Sequence, residues 1–72
     1  MKEKIYVVKG WDGDEEFFHN EKNAMDELNR RVMLVDECEL IVEEERYLEY
    51  RHYDEFLEEY FYLTYMESEF SD

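Results

Sequence analysis

The chain has 72 residues, room for one domain, and sets eight Lys and Arg against twenty-two Asp and Glu for a formal net charge of −14. That balance repels nucleic acid and anionic lipid as direct ligands and selects cationic partners. Thirteen residues are Phe, Tyr or Trp, which excludes the aromatic-poor acidic tail that stays disordered, since each buried aromatic removes roughly 150–250 Å² from water.

In chain order, Ile5-Tyr6-Val7-Val8 is β-branched and aromatic and predicts a short strand. The same run is too short for the apolar region of a signal peptide, and no stretch approaches a membrane span. Gly10-Trp11-Asp12-Gly13-Asp14 is turn chemistry, and Glu15 to His19 predicts a second short strand paired with the first across it. Trp11 between the two glycines is placed either as an exposed anchor or to close the hairpin over a core. Asn20 reads as a helix N-cap with Glu21 in the first turn, facing the positive end of the helix dipole. Ala24, Met25, Leu28, Val32 and Val35 recur at three- and four-residue spacing, which predicts an amphipathic helix over 20–35. Arg30 and Arg31 near its end complement the negative pole and have acids within reach.

The second half carries two patterns. Glu39 to Val42 and Tyr60 to Met66 favour sheet, while Tyr53, Phe56, Leu57, Tyr60 and Phe61 also fit helical spacing. The expectation is two antiparallel strands, 39–50 and 59–67, joined through a helical turn near 53–58. The competing pattern is one long helix over 43–63. The fold class is therefore α+β, one helix on a small antiparallel sheet in the order β-β-α-β-β. With no proline and only two glycines, no linker is expected. Residues 1–72 form one domain, with 1–36 as scaffold and 37–72 as the interacting half.

Size limits stability. A single core below roughly 70–80 residues seldom supplies more than ~3–5 kcal/mol, and self-repulsion among unmatched acids subtracts from it. Cys38 is the only cysteine, so no intrachain disulfide is available, and a lone thiol fits a reducing, cytoplasmic compartment. A homodimer that buries surplus tyrosines is one physical remedy.

Catalytic and metal patterns fail one by one. With Asp12 as position one of a calcium loop, Phe17 falls where the sharp-turn glycine belongs and Asn23 where the bidentate glutamate belongs. Cys38, His19 and His52 lack zinc-ligand spacing. The charges of Glu37 and Glu39 disfavour the Cys38 thiolate, which makes a small core residue of it rather than a nucleophile. No glycine-rich phosphate loop is present. The expectation is a non-enzymatic protein without cofactor or metal.

Charge is distributed unevenly. Residues 1–36 carry nine acids and six bases, a balance of −3, whereas 37–72 carry thirteen acids and two bases, a balance of −11, together with nine of the thirteen aromatics. A surface built for solubility mixes signs, but from Glu37 onward only Arg46 and Arg51 interrupt the acids. The candidate partner-binding set is Glu43, Glu44, Glu45, Glu49, Asp54, Glu55, Glu58, Glu59, Glu67 and Glu69 with Tyr47 and Tyr50. Alternate strand residues lie roughly 6.5–7 Å apart and i, i+4 helix residues roughly 5–6 Å, comparable with the spacing of phosphates along a DNA strand.

In size, charge and interleaving of carboxylates with tyrosines over 37–72, the chain resembles small acidic phage-encoded DNA-mimic inhibitors, a type defined by no shared motif. The resemblance implies a host-takeover or anti-restriction role in a bacterial cytoplasm. Its target would be a protein that grips DNA: an HU-type nucleoid protein first, then RNA polymerase, a restriction enzyme or a CRISPR effector. The alternative is an acidic protein–protein interaction adaptor that binds through its aromatic surface.

Overall fold

The strand expected at Ile5–Val8 forms within a longer one, β1 (Lys2–Lys9), which is hydrogen-bonded to β2 on one edge and β5 on the other. The structure, a computed structural model, describes residues 2–71, with side chains over 3–69. β2 (Glu15–Phe18), α1 (Glu21–Val32), β3 (Glu39–Glu44), β4 (Tyr47–Asp54) and β5 (Glu59–Ser71) follow. The strands make one antiparallel sheet in the order β2-β1-β5-β4-β3. The class is α+β as expected, with one strand more.

The first hairpin turns on the expected residues. Gly13 holds φ +91°, in the left-handed region that glycine enters without penalty, and Asp12 Oδ1 accepts the Asp14 amide at 3.1 Å. Asn20 caps α1, its side-chain oxygen accepting the Asn23 amide at 3.2 Å. The helix stops at Val32, short of the expected residue 35. Trp11 Nε1 donates to the Arg31 carbonyl at 2.8 Å, and Leu34 N donates to the same oxygen at 3.2 Å. The last turn is thus closed by a side chain from the hairpin, and Val35 lies in the connection beyond.

Alternation along each strand divides the sheet into two faces. Tyr6 and Val8 of β1, Leu63 and Tyr65 of β5 and the helix residues Ala24 and Leu28 form the buried core, with Trp11, Phe18, Met25, Val32, Leu48 and Tyr50 packed around it. β5 joins two arms. It pairs with β1 from Thr64 to Ser71 and with β4 from Glu59 to Met66. Leu63 and Tyr65 sit where the arms meet, and Leu63 has no solvent exposure. The molecule measures 47 × 18 × 17 Å.

Two expectations for the second half are corrected. The span 39–50 is not one strand: it folds back at Glu45-Arg46, pairing Glu44 with Tyr47. Neither residue has a positive φ, so the turn lacks the Asn-Gly chemistry that marks a tight hairpin. It is held instead from the side, where the Glu67 amide of β5 donates to the Arg46 carbonyl at 2.9 Å. The competing long helix over 43–63 does not form, because β4 and β5 cover most of that span. Where a helical turn was expected near 53–58, residues 55–58 make a tight turn and Tyr53 and Asp54 belong to β4; Asp54 Oδ1 accepts the amides of Phe56 and Leu57 at 2.9 and 3.0 Å.

An ion-pair network fastens α1 to the first hairpin. Glu27 accepts Arg30 Nε at 2.8 Å and Arg31 Nε at 2.6 Å, and Arg31 reaches on to Glu16 at 2.8 Å. The Arg31 guanidinium lies over Gly10 so closely that a Cβ there would collide with it. Hydrogen bonding from Arg30, seconded by Arg31, holds the Glu27 carboxyl down at about 2, from an ordinary 4.5.

Two outcomes follow for stability. Leu63→Ala lowers the free energy of unfolding by about 2–5 kcal/mol, whereas Phe56→Ala, at a site 94% exposed, changes it by no more than about 0.5 kcal/mol; urea unfolding reads both. Because folding lowers the Glu27 pKa, its stabilisation is complete above pH 4.5 and is lost as pH falls towards about 2. The stability difference between wild type and Glu27→Gln, followed by denaturation at stepped pH, is therefore constant above that window and shrinks through it.

Candidate functional site

The twelve candidate residues do not form one patch. Glu43, Glu44 and Glu45 stand exposed at the end of β3 and in the turn into β4. Asp54, Glu55, Glu58 and Glu59 gather at the opposite end of β4, around the turn into β5. Seven residue steps of strand separate the two groups, about 23 Å at ~3.3 Å per residue. Glu58 takes φ +56° there, an uncommon left-handed conformation for a residue with a side chain.

The other acids are engaged. Glu67, on the helix-covered face, lies 3.3 Å from Arg46 Nε and 3.7 Å from Lys4 Nζ, with its side chain only 13% exposed. Glu69 lies 3.5 Å from Arg46. Glu49 stands on the open face and accepts the Tyr47 hydroxyl at 2.5 Å, a bond that pushes the Tyr47 pKa up to about 12. Tyr50 belongs to the covered face and packs against the core, so it offers little to a partner.

The pleat divides the tyrosines of the second half between the two faces. Tyr53, Tyr60 and Tyr62 all point to the open face, each 45–50% exposed. Tyr53 and Tyr60 rings meet at 4.9 Å. The Arg51 guanidinium lies 4.7 Å from the centre of the Tyr60 ring while its Nη2 donates to Glu39 at 3.0 Å. Both cations of the second half are therefore committed within the molecule, Arg46 to Glu67 and Glu69, Arg51 to Glu39. The acids of the two turns have no ion-pair partner among the described residues.

Sequence reasoning missed a groove. The chain from Val32 at the end of α1 to Glu39 at the start of β3 faces the end of β4, and an open cleft of about 1060 Å³ lies between them. Asp36, Glu37, Glu39, Asp54 and Glu55 share its walls with Cys38 and His52. His52 Nδ1 lies 2.6 Å from the Glu37 carbonyl, tying the segment to the sheet. Partners this distant in sequence leave no local signal. Burial pushes the Cys38 thiol pKa up, so desolvation rather than the neighbouring acids favours its neutral form.

Among the described residues, no three His, Cys, Asp or Glu are grouped to hold a metal ion, and no helix is long and apolar enough to cross a membrane. No known family model matches the chain, and neither a curated protein nor a solved structure is similar to it.

Acids that repel one another at a turn cost the fold stability. Converting Glu43, Glu44 and Glu45 together to Gln raises the free energy of unfolding at low ionic strength by about 0.5–2 kcal/mol, an increase that high salt removes. A urea midpoint that falls instead would make these three acids part of the structural framework.

Proposed function

We propose that this protein is a non-enzymatic DNA mimic that occupies the cationic DNA-binding surface of a bacterial protein and excludes the duplex. The observation that carries the reading is the pair of carboxylate groups at the two ends of β4, which have no ion-pair partner among the described residues, Arg46 and Arg51 both being committed elsewhere. A Lys/Arg-lined cleft meets in them what it meets on DNA. Its side chains form charge-assisted hydrogen bonds with the carboxylates, and counterions are released as contact is made. An HU-type nucleoid protein is the first target, since a non-specific backbone binder is the easiest to imitate with charge alone. RNA polymerase, a restriction enzyme or a CRISPR effector has the same kind of surface.

The exposed tyrosines favour a second reading, an interaction adaptor that binds through its aromatic face and carries its charge for solubility. The two readings separate on salt. Mimicry gives binding that weakens steeply with ionic strength and survives Tyr62→Ala; the adaptor gives binding indifferent to salt and lost with the tyrosine.

With a purified HU-type protein and duplex DNA, the mimic and the duplex exclude each other in a competition assay. Reversing Glu43, Glu44 and Glu45 to Lys lowers the apparent affinity by about tenfold or more while the circular dichroism spectrum is unchanged. A pull-down from bacterial lysate, repeated with nuclease and with added DNA, widens the search to the other targets. A target complex that still binds DNA at full strength rules mimicry out.

A further inference from the structure

β4 outruns its neighbour on one side. Its ladder with β3 ends at the pair Glu39–Arg51, whereas its ladder with β5 continues through His52, Tyr53 and Asp54. On the β3 side those residues have no strand beside them among the described residues. Backbone groups alternate sides along a strand. Tyr47 closes the turn with Glu44 and bonds towards β3, so Glu49, Arg51 and then Tyr53 turn their amides and carbonyls the same way. The chain leading into β3 stands off from this end of β4 and is joined to it at His52 Nδ1, 2.6 Å from the Glu37 carbonyl. The cleft of about 1060 Å³ occupies the gap, with Arg51 to Glu55 in one wall. An unpaired stretch of strand thus faces a space as large as a ligand pocket, for which roughly 300–1,000 Å³ is usual.

We propose that an extended, Lys- or Arg-bearing segment of a partner protein adds to β4 in this cleft, in the ladder position that β3 leaves empty. Its backbone pairs with Tyr53, the mode by which a peptide extends an exposed sheet edge. Charge selects the occupant. Glu39 and Arg51 answer each other at 3.0 Å, while Asp36, Glu37, Asp54 and Glu55 line the cleft with no ion-pair partner among the described residues. Cations on the incoming segment meet those carboxylates in charge-assisted hydrogen bonds. A second copy is a poor occupant, since it carries the same −14 and its lysine-bearing strand β1 is bonded along its length to β5. A small polycation answers the carboxylates but leaves the Tyr53 backbone groups unpaired. The inference rests on the cationic-partner reading above and names the part of that partner which enters.

The test is a titration of the isotope-labelled protein, followed by its amide resonances, with a blocked pentapeptide alternating lysine and valine. The fully N-methylated form of the same peptide keeps the charge and loses the backbone donors. The expected result is a set of shifts centred on Tyr53 and on residues 35–39, with the N-methylated peptide bound about tenfold or more weakly. Asp36→Asn combined with Glu37→Gln, at two exposed positions, weakens binding of the first peptide by about tenfold. Glu43→Gln combined with Glu44→Gln, at the far end of β4, leaves it within about twofold. Equal binding of the two peptides, shifts spread over both acidic turns, or no binding at millimolar peptide overturns strand addition in the cleft. The titration contains neither DNA nor a DNA-binding protein, so each of those results leaves the mimicry reading to its own competition assay.

Discussion

The structure depends on the double pairing of one long strand. β5 runs thirteen residues, lending its second half to β1 and its first to β4. Only from Thr64 to Met66 does it have a partner on both sides, and there the two arms become one sheet. Leu63 and Tyr65 are buried at that crossing because α1 closes over it from one side. The helix, the hairpin that caps it and the acidic arm all refer their positions to this short stretch. The remainder of β5 extends past the helix and carries the β3–β4 hairpin out to solvent.

That layout lets a small fold tolerate its charge. The arginines at the end of α1 are spent inside the scaffold, where Glu27 and Glu16 fasten helix to hairpin across Gly10. In the arm, Arg46 and Arg51 quiet the acids along the strands. The acids of the two turns have no ion-pair partner among the described residues and stand in water.

Part of the site was legible in residue order and part was not. The excess of acid over base after Glu37 is a matter of composition, and it identified the acidic arm. Which of those acids are free required partners. Glu67 and Glu69 look like Glu43 and Glu44 in the sequence, yet β5 brings the first two beside Arg46. Tyr50 and Tyr53 look alike too, but the pleat turns Tyr50 into the core and Tyr53 to the open face. A side chain's face follows from strand register, and register was hidden because the turn at Glu45-Arg46 carries no glycine, asparagine or proline to announce it.

The sequence by itself determined the first half: β1, the Gly10–Asp14 turn, the Asn20 cap and the apolar stripe of α1 are written in local propensity and short-range hydrogen bonds. It also determined the sign of the chain's own charge, since net charge needs no fold. The tertiary structure decided the second half. The β3–β4 hairpin is held by the Glu67 amide on the Arg46 carbonyl, and the end of α1 by the Trp11 indole on the Arg31 carbonyl. Both bonds join groups about twenty residues apart. The strand pattern over 43–63 competes with a helical one in the sequence, and the pairing of β4 with β5 decides between them, because a sheet draws its hydrogen bonds from other strands and a helix from itself.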